Sequence, residues 1–102
     1  MDKAQIVIEN ELEQLKARVE SDPSDVLPMA QQCLARAEQI LHHEGEIQAH
    51  IVIARCYWSL MDYRKGMKSI KLAHTIQSRE DNDNYLPEIL HVHALQYWGQ
   101  AK

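Results

Sequence analysis

No stretch of this chain approaches the roughly 20 consecutive apolar residues that span a bilayer, and this argues against a membrane helix. The opening segment, "MDKAQIVIENELEQ", has an acid at Asp2 and only three apolar residues in a row, Ile6 to Ile8. It offers no secretory h-region. Glycine and proline are scarce, three of each, in a chain that is 45% hydrophobic and 25% charged. That balance fits a packed globular chain rather than a disordered one. Two cysteines, Cys33 and Cys56, make no disulfide framework. They read as small buried hydrophobes in a reducing compartment, so a cytoplasmic location is expected. The formal charge is −4 and no Lys/Arg cluster stands out, which sets the mean field against a nucleic-acid partner. Missing too are a Gly-rich phosphate loop, a Gly-x-Ser-x-Gly elbow and a cysteine with activating neighbours. Neither an enzyme nor a cofactor is expected from such a chain.

Helical periodicity is what remains, and it runs from end to end. At 102 residues the chain is one domain with one modest core. Ile8, Leu12, Leu15 and Val19 step by four, three and four, which predicts a helix over about residues 3–20. "SDPSD" breaks it; Ser24 or Asp22 can cap a second helix, and Pro28 requires that helix to start close to Ser24. Leu27, Ala30, Leu34, Ala37 and Leu41 form its stripe, and Gly45 is the natural stop after "HHE". A third helix, about 46–60, has Ile47, Ile51, Ala54 and Trp58 flanked by Ile53, Tyr57 and Leu60. Its apolar surface is too wide for packing on one side only. Asp62 caps a fourth helix that runs to about Gln77, with Tyr63, Gly66, Ile70, Ala73 and Ile76 or Gln77 inward. After the polar "SREDNDN", Asn84 caps a fifth, with Pro87 in its first turn.

The third and fifth helices repeat a feature. Ala54, Tyr57 and Trp58 return as Ala94, Tyr97 and Trp98 at an offset of 40, and Ala30 and Ala37 match Gly66 and Ala73 at 36. The four extra residues are expected in the loop 78–84. A period in the thirties, with small residues where helices cross, is the mark of helix-hairpin solenoids. The residues His50, Ile53, Ala54, Tyr57, then "MDY", Gly66, Ile70 and Ala73 resemble the tetratricopeptide repeat. Leu90, His93, Ala94 and Tyr97 resemble the start of another unit. His50 stands where the family has Trp, Ser78 stands where Pro is common, and the first helix matches by periodicity alone.

The resemblance implies an all-α, right-handed stack of antiparallel helix hairpins, five helices in one domain over residues 1–102. It also implies a protein- or peptide-binding module, since the first helix of each hairpin lines a concave groove. In the family register, Gln48, Val52, Arg55 and Trp58 face that groove from the third helix, with Ile51 and Ser59 alongside. His91, Leu95 and Trp98 face it from the fifth, with Glu88, Val92 and Gly99. Ile51, Val52 and His91 stand where relatives that hold a peptide's terminal carboxylate carry a Lys/Asn set, so that activity is not implied. Ala54 and Gly66 are expected to meet across a tight helix crossing. "YWGQAK" ends the sequence inside a repeat, which reads either as a piece of a longer protein or as an unusual closing helix. Similar arrays in bacterial signalling proteins, among them diguanylate cyclases and response regulators, suggest a regulatory or sensory role.

Two alternatives stand beside that reading. One is a small helical bundle that serves as a dimerisation domain, a homodimer joined through the apolar C-terminal helix. The other is a helical metal protein, on the strength of six histidines and the pairs Glu46/His50 and Glu88/His91. A carboxylate-bridged site needs further Glu residues on facing helices, and the inward positions here are apolar or small, so no metal is expected. His42 and His43 fall at a helix end, where such side chains are favoured in any case.

Overall fold

A computed structural model describes residues 2–101. Asp2 starts α1 (Lys3–Arg18): its carboxylate accepts the Ala4 N–H, and the Gln5 side chain accepts the Asp2 N–H in return. This capping box satisfies two backbone donors that the first helical turn leaves without partners. Ile8, Leu12 and Leu15 are buried along α1, followed by Val19, as their spacing predicts. Then come α2 (Pro23–Gln39), α3 (His43–Ser59), α4 (Tyr63–Arg79), a short 3₁₀ turn (Asp83–Tyr85) and α5 (Leu86–Ala101). No strand occurs among the described residues, so the chain is all-helical. Pro28 lies in the second turn of α2 rather than the first. Ser24 and Pro28 are both exposed, so water can reach the carbonyl that proline leaves without a donor.

The junctions repeat one geometry. Leu41, Met61 and Asp81 each take a left-handed backbone, with φ of 54°, 62° and 52°. After each of them a backbone N–H reaches back to the preceding helix: His42 to the Ala37 carbonyl (2.9 Å), Asp62 to Tyr57 (2.8 Å) and Asn82 to Gln77 (3.1 Å). These are Schellman turns built without glycine. The N-caps, Asp22, His42, Asp62 and Asn82, fall at intervals of twenty residues.

Several expectations are corrected by this regularity. Gly45 does not end α2 but lies buried in the first turn of α3, where a side chain would collide with the His42 ring. His42 and His43 therefore open a helix instead of closing one. The even helices repeat at 40 residues, not 36, and the α4–α5 junction is longer than the two before it by the 3₁₀ turn Asp83–Tyr85. A shift of four is about one helical turn, so a stripe of small residues aligns almost as well at either offset. Asn84 lies inside the 3₁₀ turn that leads into α5, and Asn82 caps that turn by accepting the Asn84 N–H at 3.0 Å; Pro87 does sit in the first turn of α5. Leu41 and Met61 are exposed and carry a Cβ in a conformation that costs L-residues about 1 kcal/mol. Leu41→Gly and Met61→Gly should each raise stability by about 0.5 kcal/mol, after the larger unfolded-state entropy of glycine is subtracted. Urea midpoints at constant m-value measure it; a fall in midpoint for both variants would contradict the strain argument.

Successive helices pack side by side, and α3 is the hub. It contacts α2 and α4 as chain neighbours and also touches α1 and α5, whereas α2 and α4 share no comparable contact. Helix α3 thus lies among the other four, in a body of 43 × 29 × 19 Å. One apolar cluster joins α1 and α2 to Ala49, Val52, Ile53 and Cys56 of α3. A second joins Ile47, Ile51 and Ala54 of α3 to α4 and α5. The wide apolar surface of α3 is explained: it is sandwiched.

At Ala54 and Gly66, expected to meet across a helix crossing, the side chain of Gln96 from α5 lies against both. Gln96 is fully buried and its Nε2 donates to the Ala54 carbonyl at 2.7 Å. A methyl group on Gly66 would overlap the same amide. Farther along, Gly99 lies flush against the Tyr63 ring, which sets the end of α5 beside the start of α4.

Candidate functional site

A cleft of about 410 Å³ opens between the odd helices. Val19 at the end of α1 and Val92 of α5 form its buried floor. Arg55, Trp58 and Ser59, in the last two turns of α3, supply one wall; Glu88, His91 and Leu95 of α5 supply the other. Spacing makes this possible. Positions 55, 58 and 59, and positions 88, 91 and 95, each follow the i, i+3, i+4, i+7 rule that puts residues on one helical face. Trp58 keeps 41% of its surface exposed. Charges of both signs ring the cleft: Arg55 Nη2 is 4.0 Å from Glu20, and Lys16 Nζ is 3.6 Å from Glu88, which ties α1 to α5.

Of the residues expected to face a partner, Arg55, Trp58, His91 and Leu95 are brought together here. Gln48 and Val52 are not. Val52 is fully buried in the core, and Gln48, 6% exposed, donates through Nε2 to the Tyr85 hydroxyl at 2.6 Å. Tyr85 in turn donates to Glu44 Oε1 at 2.9 Å. Burial, first, and then these bonds to Glu44 push the Tyr85 hydroxyl well above the usual tyrosine range. This clasp, with α1 alongside, roofs the N-terminal half of α3 and leaves the cleft open only at the C-terminal half. Trp98 lies outside the cleft, exposed on the outer side of α5 with Leu90 and Tyr97. The α1 contribution, Val19 and Glu20 with Lys16 at the rim, was not anticipated. Its one sequence signal was the apolar stripe ending at Val19, which marks burial but not the neighbouring opening.

The histidines do not converge. His43 Nδ1 meets Glu46 at 2.8 Å, and its Nε2 is 3.4 Å from Glu80. His42 Nε2 is 3.6 Å from Glu9. Glu46 is thus engaged by His43 rather than by His50, and Glu88 by Lys16. Among the described residues, no group of three or more His, Cys, Asp or Glu side chains is arranged to hold a metal ion. Both cysteines are free and buried. Burial, joined at Cys33 by the carboxylate of Glu11, raises each thiol to about 11. At neutral pH such thiols are protonated and poorly nucleophilic. No described helix is long and apolar enough to cross a membrane. Comparison of the chain with protein-family models, with curated proteins and with solved structures gives no match.

Proposed function

We propose that this chain is a protein- or peptide-binding helical module, similar in kind to the tetratricopeptide repeat and serving a regulatory or sensory role in cytoplasmic signalling. The cleft between α1, α3 and α5 supports this reading above all, because it sets a half-exposed Trp58 beside Arg55 over an apolar floor with a charged rim. Trp and Arg are the residue types that most often anchor interfaces, and an apolar centre ringed by polar groups is the usual anatomy of one. The function is recognition, with no catalytic step.

Peptides selected from a displayed random library against the intact chain test it. They should shift Trp58 emission in a Trp98→Phe background. They should also lose about 30-fold in affinity against Arg55→Ala/Trp58→Ala, the equivalent of about 2 kcal/mol for removing anchors of this type. Equal affinity for the double variant, with unchanged circular dichroism, would sink the reading.

The exposed stripe of Leu90, Ala94 and Tyr97 on α5 favours a second reading, a homodimer joined through that helix, since contiguous apolar surface on a soluble chain usually marks an interface. Sedimentation of the same samples across a concentration series decides it: a strict monomer throughout removes the dimer.

A further inference from the structure

On the far side of α3 a second cleft, of about 310 Å³, opens between α2, α3 and α4. At 100° per residue, positions 50, 53 and 57 point almost opposite to 55, 58 and 59, so the two clefts share a helix but no residue. Gln31, His50, Tyr57, Lys65, Lys68 and Ser69 supply its polar lining, with Ile53 and Leu72 among its apolar walls.

Two polar side chains in this cleft have nothing to bond. His50 is 7% exposed and its Nδ1 is buried without a hydrogen-bond partner. Ser69 is 9% exposed, and its hydroxyl makes no hydrogen bond with any described residue. Buried polar groups are nearly always satisfied, and a cluster that is not calls for a ligand or water. Burial holds the His50 ring below the usual histidine range against the opposing pull of Glu46. A neutral ring of this kind offers one N–H donor and one acceptor.

Against Glu46 and Asp62 nearby, the helix that forms one wall of the cleft carries charge of one sign. Helix α4 carries Arg64, Lys65, Lys68, Lys71 and Arg79 and no acid. That is 5 of the chain's 11 Lys and Arg with none of its 15 Asp and Glu, leaving 6 against 15 elsewhere. The basic cluster that was not evident in the linear sequence is therefore a helix face. Lys65 Nζ lies 6.0 Å from the centre of the Tyr57 ring and 3.6 Å from Asp62, which holds it over the cleft. Lys68 forms no ion pair with any described residue. A cation without a counter-ion, a buried ring nitrogen and a hydroxyl that both lack partners, and an aromatic wall make a set that an oxyanion on a short flat body would complete.

We propose that the α2–α3–α4 cleft binds a small organic anion. Its phosphate or carboxylate would take Lys68, Ser69 and His50, and its apolar or aromatic body would lie against Tyr57 and Ile53.

Titration of the intact chain, followed by NMR, tests the assignment with phenyl phosphate and benzoate as probes and phenol as the uncharged control. Either anion should move the Ser69 amide and His50 imidazole resonances saturably in the millimolar range, and the tighter of the two identifies the oxyanion. Phenol should not. Lys68→Gln should weaken binding about tenfold. Arg64→Gln removes the same charge from the same helix outside the cleft and should leave binding within twofold. The proposal is overturned if neither anion shifts His50 and Ser69, if phenol shifts them equally, or if the two charge variants weaken binding alike, which would mean diffuse attraction to α4.

Discussion

Gly66→Leu should destabilise the fold by about 3 kcal/mol, a fall in Tm of roughly 15 °C for a domain of this size. Glycine inside a helix ordinarily invites replacement, because a better helix former gains up to about 1 kcal/mol. Here the opposing effect wins. The first carbon of any side chain would fall on the amide of Gln96, and that amide has nowhere to go: Gln96 is fully buried, with its Nε2 bonded to the Ala54 carbonyl. Making room means breaking that bond inside the core or separating α4 from α5. Gly66→Ala, with a single methyl, should sit between the two effects and lose about 1 kcal/mol. Combining Gly66→Ala with Gln96→Ala tests the mechanism, since removing the amide relieves the overlap and the two losses should fall short of additivity by at least about 0.5 kcal/mol. Strict additivity in urea melts, or a Gly66→Leu chain as stable as the parent, would mean that the crossing is looser than its geometry implies.

What could be read from the sequence, and what could not, follows from the range of the interactions involved. The stripe on α1, the broad apolar surface of α3 and the Asp62 cap, which accepts the Lys65 N–H at 3.4 Å, are local properties of one helix, and period and cap chemistry reveal them. The turns at Leu41 and Met61 were invisible because a left-handed residue that is not glycine leaves no mark in composition. Glycine at 45 looked like a stop and proved to be a clearance for the His42 ring. Gln96 is a polar residue at a core position that makes sense only once Ala54 and Gly66 are seen beside it. The cleft shows the same division. Register alone puts Gln48, Val52, Arg55 and Ser59 on one face of α3, but whether that face is open depends on what lies over it. The Tyr85 clasp closes position 48, and the core shared with α1 and α2 closes position 52; only Arg55 and Ser59 reach the opening. The cleft behind α3 draws its lining from three helices and has no linear signature at all.

Alkaline pH should unfold the protein through its two thiols. Cys33 and Cys56 have no solvent exposure, and both are raised from 9.0 to about 11. At Cys33 burial comes first and the Glu11 carboxylate, 2.6 Å from Sγ, adds to it against the pull of Arg36; at Cys56 burial acts against Arg55. The sign follows directly. Below pH 9 the thiols are protonated in both states and contribute no pH dependence. Between 9 and 11 the unfolded chain releases protons that the folded chain retains, so the unfolded state binds fewer protons and stability falls as pH rises. Each thiol should remove about 2 kcal/mol by pH 11. Tyr85, also raised from 10.0 by burial and by Glu44, acts in the same direction. Against a total stability of about 5–15 kcal/mol for a domain, two such losses are decisive at the lower end. Urea melts under reductant at pH 8, 9, 10 and 11 should show a steady decline in unfolding free energy. Cys33→Ala/Cys56→Ala should start lower at pH 8, because two buried sulfurs are lost, yet decline less steeply, and adding Tyr85→Phe should flatten the profile further. A parent chain equally stable at pH 8 and pH 11, or a cysteine-free variant with an unchanged slope, would show that these thiols ionise as readily in the fold as outside it.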